Sequence, residues 1–397
     1  MSKGLLWFYL LVSSHFLISS DLKEYLYPVG VSSTNGHAVP FVYVVYQKAP
    51  DNLTLFGWDP VSLYAYPLLH SIHMPAAVRI MSDASGFSFV SNGRVWIKQF
   101  NKRSPRIISI QDSLYDYISV DWIDELAGYC CCKKRDRYGI FHFSINGDTD
   151  AIAFSDHYDC LHPQKIGSLL FYIQRLEIEG NTQYRIVQQP YPNIQYSNQS
   201  FNDTDAYTEW AKKIITHQTA IEHEMRMPDD TEHSEVVADF NNRQIMFLSM
   251  VDEDRGFVIE YGDTSSPETI DCVYHSIVRT KSGWQVNPLF NFAIPVDLIS
   301  HQADRLYESL VPFVPIYHNQ GIYFSDCGRS ESGKASLYKY DFLSQEVAPV
   351  AVNSTEIVFA PFLFKDQLFY GGAITNQEDT NKTELHNGSI CLKLPSF

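Results

Sequence analysis

Two stretches decide the fold, Phe313-Val-Pro-Ile-Tyr-His-Asn-Gln-Gly-Ile-Tyr-Phe-Ser325 and Phe359-Ala-Pro-Phe-Leu-Phe-Lys-Asp-Gln-Leu-Phe-Tyr-Gly371. Each holds an extended apolar run, a short polar turn and a second run of aliphatic and aromatic residues, in the same order and at the same spacing. Such runs, too short for a helix and bounded by turn residues, read as paired strands. Val236-Val-Ala-Asp-Phe-Asn-Asn-Arg-Gln-Ile-Met-Phe-Leu-Ser249 carries the pattern again, with its turn at Asn241-Asn242. Looser copies lie at 77–90, 118–131 and 166–173, and 39–46 supplies a further strand of the kind. Third strands follow at 94–99, 139–143, 183–187, 256–261 and 336–340.

The units recur at intervals of roughly 40 to 75 residues, and a period near 45 is what a four-stranded propeller blade needs. The sequence therefore predicts an all-β chain, a β-propeller of seven blades with six to eight in range, as one domain over 21–397. A lone four-stranded sheet exposes two apolar faces, and stacking it between neighbours buries both. A strand from the N-terminal region is expected to complete the last blade beside Ile390–Leu394. One region departs from the pattern. Over about 205–235, Trp210 to Met227 carries apolar residues at helical spacing after the polar turn Asn202-Asp203-Thr204, which predicts a short helical insertion. A second short helix is expected at 296–310.

The second strands that end in Ser, Ile322-Tyr-Phe-Ser325 and Ile245-Met-Phe-Leu-Ser249, resemble the repeat of TolB-like propellers and of the dipeptidyl peptidase IV and prolyl oligopeptidase propeller domains. The likeness covers most of the chain after residue 37. It departs from the family at the Ser-Pro-Asp-Gly turn, where this chain has His318-Asn-Gln-Gly321, Lys365-Asp-Gln367 and Asn241-Asn-Arg243. What the resemblance implies is the fold, because one scaffold hosts many functions. No Gly-x-Ser-x-Gly elbow accompanies it.

Composition agrees with strands: aromatic residues make up 14% of the chain. The formal charge of −16 leaves no positive field to condense on a phosphate backbone, so nucleic acid is excluded as a partner. The basic run Lys133, Lys134, Arg135 and Arg137 reads as a hairpin turn facing water. Residues 1–20, with Lys3, an apolar stretch to Ile18 and then Ser19-Ser20, read as a signal peptide, and the protein as extracytoplasmic, secreted or periplasmic. An uncleaved anchor is the alternative; no later segment is long and apolar enough to span a bilayer. Six Asn-x-Ser/Thr sequons, at Asn52, Asn198, Asn202, Asn353, Asn381 and Asn387, fit either glycosylation or Asn-rich turns. Cys130, Cys131, Cys132, Cys160, Cys272, Cys327 and Cys391 are too sparse for a disulfide framework and read as core.

Candidate chemistry fails on spacing. His223-Glu224 has Met227 where a zinc helix needs its second His, and His217 and His233 read as solvent-facing. His70 and His73 lack a third ligand. Gly328-Arg-Ser-Glu-Ser-Gly-Lys-Ala335 approaches a phosphate loop, but Ala335 replaces the magnesium-binding hydroxyl and a strand follows. Ser82–Phe89 lacks the closing Thr-Trp of a sialidase box. No catalytic, metal or cofactor residue is therefore assigned. The reading is a non-catalytic propeller that binds a protein or an extended ligand on one face. The alternatives are a glycan hydrolase using channel carboxylates and a membrane-tethered envelope component.

Overall fold

A computed structural model describes residues 24–31, 42–49, 52–58, 65–72, 76–80, 86–91, 94–99, 106–107, 115–124, 127–134, 136–144, 149–192, 234–241, 243–262, 269–295, 314–318, 320–329, 336–350, 358–364, 367–374 and 389–393. Among them every regular element is a strand. In chain order these are β1 (Glu24–Val31), β2 (Val42–Ala49), β3 (Asn52–Trp58), β4 (Ala65–Ile72), β5 (Ala76–Ile80), β6 (Gly86–Ser91), β7 (Arg94–Gln99) and β8 (Arg106–Ile107). Next come β9 (Tyr115–Trp122), β10 (Ala127–Lys134), β11 (Arg137–Ser144), β12 (Thr149–Ala153), β13 (Tyr158–Ile166), β14 (Leu169–Ile178), β15 (Asn181–Pro190) and β16 (Glu235–Asp239). The rest are β17 (Ile245–Met250), β18 (Arg255–Tyr261), β19 (Thr269–Thr280), β20 (Gly283–Pro295), β21 (Ile316–His318), β22 (Gly321–Asp326), β23 (Ser336–Asp341), β24 (Glu346–Pro349), β25 (Val358–Phe364), β26 (Gln367–Ile374) and β27 (Ser389–Lys393).

Consecutive strands pair in fours. Five separate antiparallel sheets take β5–β8, β9–β12, β13–β16, β17–β20 and β21–β24, and a seven-stranded sheet joins β1–β4 to β25–β27. This is the all-β propeller architecture that the repeats predict. Burial follows position in the sheet. The second strands β10 and β22 are buried on both faces over most of their length, as is Leu170–Ile173 of β14, whereas the outermost strands β16 and β24 are largely exposed. A strand buried on both faces needs apolar residues at successive positions instead of alternate ones.

The sheet ends show how turn chemistry sets register. Glu179 (φ 53°) and Gly180 (φ 81°) form the two-residue turn between β14 and β15, with Ile178 opposite Asn181. Two positive φ values in succession match the right-handed twist of the paired strands.

The chain divides into two compact units, 1–107 with 261–274 and 288–397, and 108–260 with 275–287. In the first, aromatic rings make the core. Phe290 stacks on Phe324 at 4.1 Å and meets Tyr274 at 5.2 Å and Tyr340 at 5.3 Å, which ties β19 and β20 to β22 and β23. In the second, Tyr129, Ile140, Ile152, Cys160, Leu170, Tyr172 and Val187 pack β9–β12 against β13–β16. Cys130, Cys131, Cys132, Cys160, Cys272 and Cys327 are buried free thiols, as their reading as core residues requires. Burial pushes the Cys131 and Cys132 thiols well up, which makes them poor nucleophiles.

Three expectations are corrected. The copy at 236–249 is not a hairpin: β16 closes one sheet and β17 opens the next, and the turn between them is a crossing. An apolar strand, turn and strand look alike in sequence whether or not the two strands pair. For the same reason β18, covering 256–261, is a second strand and not a third. Finally, the N-terminal strand β1 does join the last sheet, but beside β26 instead of β27. Glu24, Tyr25 and Leu26 face Ile374, Ala373 and Gly372, while β27 pairs with Gln367–Gly371. Gly372 already has Val358 of β25 on its other side, so β1 and β27 share one edge of β26 end to end. The signal segment 1–20 and both expected helices, 205–235 up to the start of β16 and 296–310, lie outside the described residues.

Candidate functional site

A row of ion-paired side chains of the second unit lies near one end of the β13–β16 sheet, the end that carries the β14–β15 turn and the β16–β17 crossing, on both faces of the sheet. Register puts them there. Asp159 of β13 stands directly opposite Arg175 of β14, and Arg185 of β15 directly opposite Asp239 of β16. Opposed charges in facing positions of an antiparallel ladder attract across the strand gap. Arg175 donates from Nε (2.9 Å) to Asp159 Oδ2, with Nη2 at 2.8 Å; Arg185 donates from Nε to Asp239 Oδ2 at 3.0 Å.

Asp159 also reaches the preceding sheet. Its Oδ1 accepts the Tyr138 backbone N–H at 2.9 Å, and Arg137 Nη1 lies 3.7 Å from Oδ2. Its side chain is 4% exposed, whereas Arg137 and Arg175 remain about a third and a quarter exposed. The carboxylate faces inward and the guanidiniums face out.

The crossing from β16 to β17 extends the row. Asn241 adopts φ 48° and donates its N–H to Asp239 Oδ1, while Phe240 N–H donates to the Tyr184 carbonyl and Tyr184 N–H to the Asn241 carbonyl, which holds this turn against β15. Arg243 follows, its guanidinium 5.4 Å over the buried Phe240 ring and its Nη1 2.9 Å from Glu260 Oε2. His275 Nε2 approaches the same oxygen to 2.7 Å, with the imidazole 5% exposed. Both contacts are at ion-pair distance, yet no N–H is aligned on Oε2, and both ring nitrogens of His275 lack a hydrogen bond. Burial pushes the His275 imidazole down against the pull of Glu260.

The arrangement holds four guanidiniums (Arg137, Arg175, Arg185, Arg243) and three carboxylates (Asp159, Asp239, Glu260). Arg175 stands opposite Tyr184 and Arg185 opposite Gln174, so the Asp159–Arg175 and Arg185–Asp239 pairs lie on opposite faces of the sheet. Each acid here is engaged by a cation and, except Asp239, buried.

A second buried carboxylate lies in the other unit. Asp326, 1% exposed at the end of β22, accepts the Ala293 and Gly328 N–H groups at Oδ1 and pairs Oδ2 with Arg329 Nε at 3.0 Å. Burial raises its pKa, opposed by those backbone donors and by Arg329. Gly328 and Arg329 of the phosphate-loop-like stretch thus brace a β22–β23 connection, and a strand follows from Ser336 as expected.

Of the residues singled out in the sequence, Lys133, Lys134 and Arg137 do form the β10–β11 hairpin end, and Arg137 alone among them enters the row. His70 lies in β4; His73, His217, His223, Glu224, Met227 and His233 lie outside the described residues. Among the described residues no group of three metal-ligating side chains converges, and no helix is long and apolar enough to cross a membrane.

No family model and no curated protein sequence matches the chain. Solved structures do. A puromycin hydrolase superposes with TM-score 0.54 at 11% identity, over 87% of this chain and 50% of that one. The likeness is one of fold. A puromycin-hydrolyzing peptidase of Mycobacterium tuberculosis gives TM-score 0.52 at 11% identity, with the same 87% and 50% coverage. TolB from Acinetobacter baumannii gives 0.40 at 9% identity, over 85% of this chain and 66% of that one. This chain spans about half the length of the two hydrolases that it matches. The resemblance to TolB-like and dipeptidyl peptidase IV-like propellers, drawn from the strand-turn-strand units, stands at the level of fold.

Proposed function

We propose that this chain is an exported, non-catalytic β-propeller that holds a protein partner or an extended ligand on the sheet end carrying the arginine row. One observation carries the reading. Asp159 and Glu260, buried carboxylates on that end, are clamped by the guanidiniums of Arg175 and Arg243. A hydrolase acting through such carboxylates needs them free to reach a leaving oxygen or a water. Here they anchor donors instead. Export rests on the N-terminal stretch with Lys3, the apolar run and Ser19-Ser20.

The test pairs binding with turnover. The purified chain is presented with labelled extended peptides and oligosaccharides, alongside the Asp159→Asn and Glu260→Gln variants. Saturable binding without consumption of the probe is expected. Steady turnover that either variant abolishes while binding persists would overturn the scaffold reading in favour of the glycan or peptide hydrolase. Sequencing the N-terminus of the mature protein tests export: a start near Asp21 supports it, and an intact Met1-Ser2-Lys3 on membranes gives the tethered form.

A further inference from the structure

We infer that Arg243 and His275 compete for one oxygen of Glu260 and so form an acid-opened latch on the crossing between β16 and β17. With His275 neutral, Arg243 holds the carboxylate and pins the crossing. Once His275 takes a proton it holds the carboxylate itself, and Arg243 turns out to water. The inference concerns how the chain answers to pH and does not depend on what it binds. Three features lead to it.

First, the two nitrogen groups meet at a single atom. Arg243 Nη1 lies 2.9 Å and His275 Nε2 2.7 Å from Oε2 of Glu260. Register accounts for the arginine: Ile245 at the start of β17 stands opposite Glu260 near the end of β18, and Arg243 precedes Ile245 by two positions. Neither nitrogen has an N–H aligned on that oxygen, so charge, more than a directed hydrogen bond, decides which group the carboxylate keeps.

Second, the two groups differ in what they lose by leaving. The Arg243 side chain is 54% exposed and that of His275 5%. A guanidinium that swings into water recovers its hydration, whereas a protonated imidazole at a buried position must keep its counter-charge. Phe240 of the crossing touches both, 5.4 Å from the Arg243 guanidinium and 5.8 Å from the His275 ring. The departing guanidinium therefore also gives up a ring that the crossing buries.

Third, few charges act on the imidazole. Among the described residues these are Glu260 from β18 and Arg243 from the crossing. Asp239, where the crossing begins, is engaged by Arg185. On β19 itself Val273 and Ile277 share the face of His275, and the next charges, Asp271 and Arg279, stand four positions away on either side. The other neighbour of β19, β20, has no titratable side chain from Val286 to Pro295. Burial pushes the imidazole below its ordinary 6.5 against the pull of Glu260, and Arg243 pushes the same way as burial. The latch is thus closed at neutral pH and opens as pH falls through that lowered value.

Competition is reciprocal: if the proton on His275 weakens the hold of Arg243, Arg243 must weaken the hold of His275 on its proton by the same factor. The full chain, labelled with 13C at histidine Cε1 and 15N at arginine Nε, is titrated by NMR from about pH 7.5 to about pH 5. His275→Gln and Arg243→Gln assign the two signals. The Arg243 signal is expected to move toward that of a water-facing guanidinium with the same midpoint as His275. Arg243→Gln should raise the proton affinity of His275 by about threefold or more, roughly half a pH unit. In His275→Gln the Arg243 signal should stay in place over the same range.

The inference is overturned if Arg243 keeps its signal while His275 titrates, or if the His275 midpoint is the same in Arg243→Gln. It is also overturned if His275 takes no proton before the chain unfolds, or if Arg243 moves equally in His275→Gln, which would put the proton on Glu260. Should His275→Gln fail to fold, the two midpoints in the unaltered chain and Arg243→Gln, a change at a half-exposed side chain, still decide the matter.

Discussion

Replacing Asp159 should separate the two kinds of bond that this carboxylate makes. In Asp159→Ala the Tyr138 N–H loses a buried acceptor at 2.9 Å, which costs about 1–3 kcal/mol. Arg175 also loses this carboxylate, but its side chain is 27% exposed and can turn to water. That part falls short of the several kcal/mol of a fully buried orphan charge, and about 1 kcal/mol is the fair figure. The sum is about 3 kcal/mol. Asp159→Asn keeps an oxygen for Tyr138 and places a neutral amide near Arg175 and Arg137, so it should cost about half as much. Equilibrium urea unfolding of the three proteins gives the differences, and hydrogen exchange at the Tyr138 amide reports the local bond. The amide should exchange faster in Asp159→Ala and remain protected in Asp159→Asn. A cost for Asp159→Ala under about 0.5 kcal/mol, the range of an ordinary surface change, would refute the reasoning.

Three further outcomes follow from the same geometry. The folded His275 imidazole titrates below its ordinary 6.5, so on acidification the unfolded chain takes up the proton first and stability is lost as pH falls from about 7 toward 5. His275→Gln should flatten that part of the urea-midpoint profile, with Glu260 and Arg243 still facing the position; parallel profiles would count against it. Phe290→Ala, which strips the centre of the aromatic cluster, should cost about 3–5 kcal/mol, and Phe290→Leu clearly less, by thermal or urea unfolding. Deleting residues 388–397 removes β27 and bares the β26 edge at Gln367–Gly371. The melting temperature should drop sharply, and an unchanged value would show that β27 adds no stability.

The parts of the fold legible in the sequence were those with an apolar run on each side of a turn. The pairs β21 and β22, β25 and β26, β5 and β6, and β9 and β10 fall on the copies read from the residues, whereas the copy at 166–173 meets β13 only at Ile166 and covers the first half of β14. Their second strands need apolar side chains on both faces, which leaves a signal that survives without an alignment. Outer strands leave none: β24, Glu346–Pro349, is mostly exposed, and β8 has two residues. The crossing at Asn241 reads as a hairpin because strand pairing is not written in local pattern. The arginine row was illegible for a related reason. Arg185 and Asp239 are 54 positions apart, and Asp159 and Arg175 are 16 apart, and only the ladder brings them together.

The shared edge of β26 has a consequence for how the protein is made. Residues 24–26 cannot take their places opposite 372–374 until residue 374 has left the ribosome. Bringing together segments separated by almost 350 positions is entropically slow. Until then β1 keeps one side of its backbone unsatisfied, a template for mispairing with other nascent chains. A chain built in this way has reason to be escorted during synthesis, and its assembly rate, more than its final stability, would limit its yield.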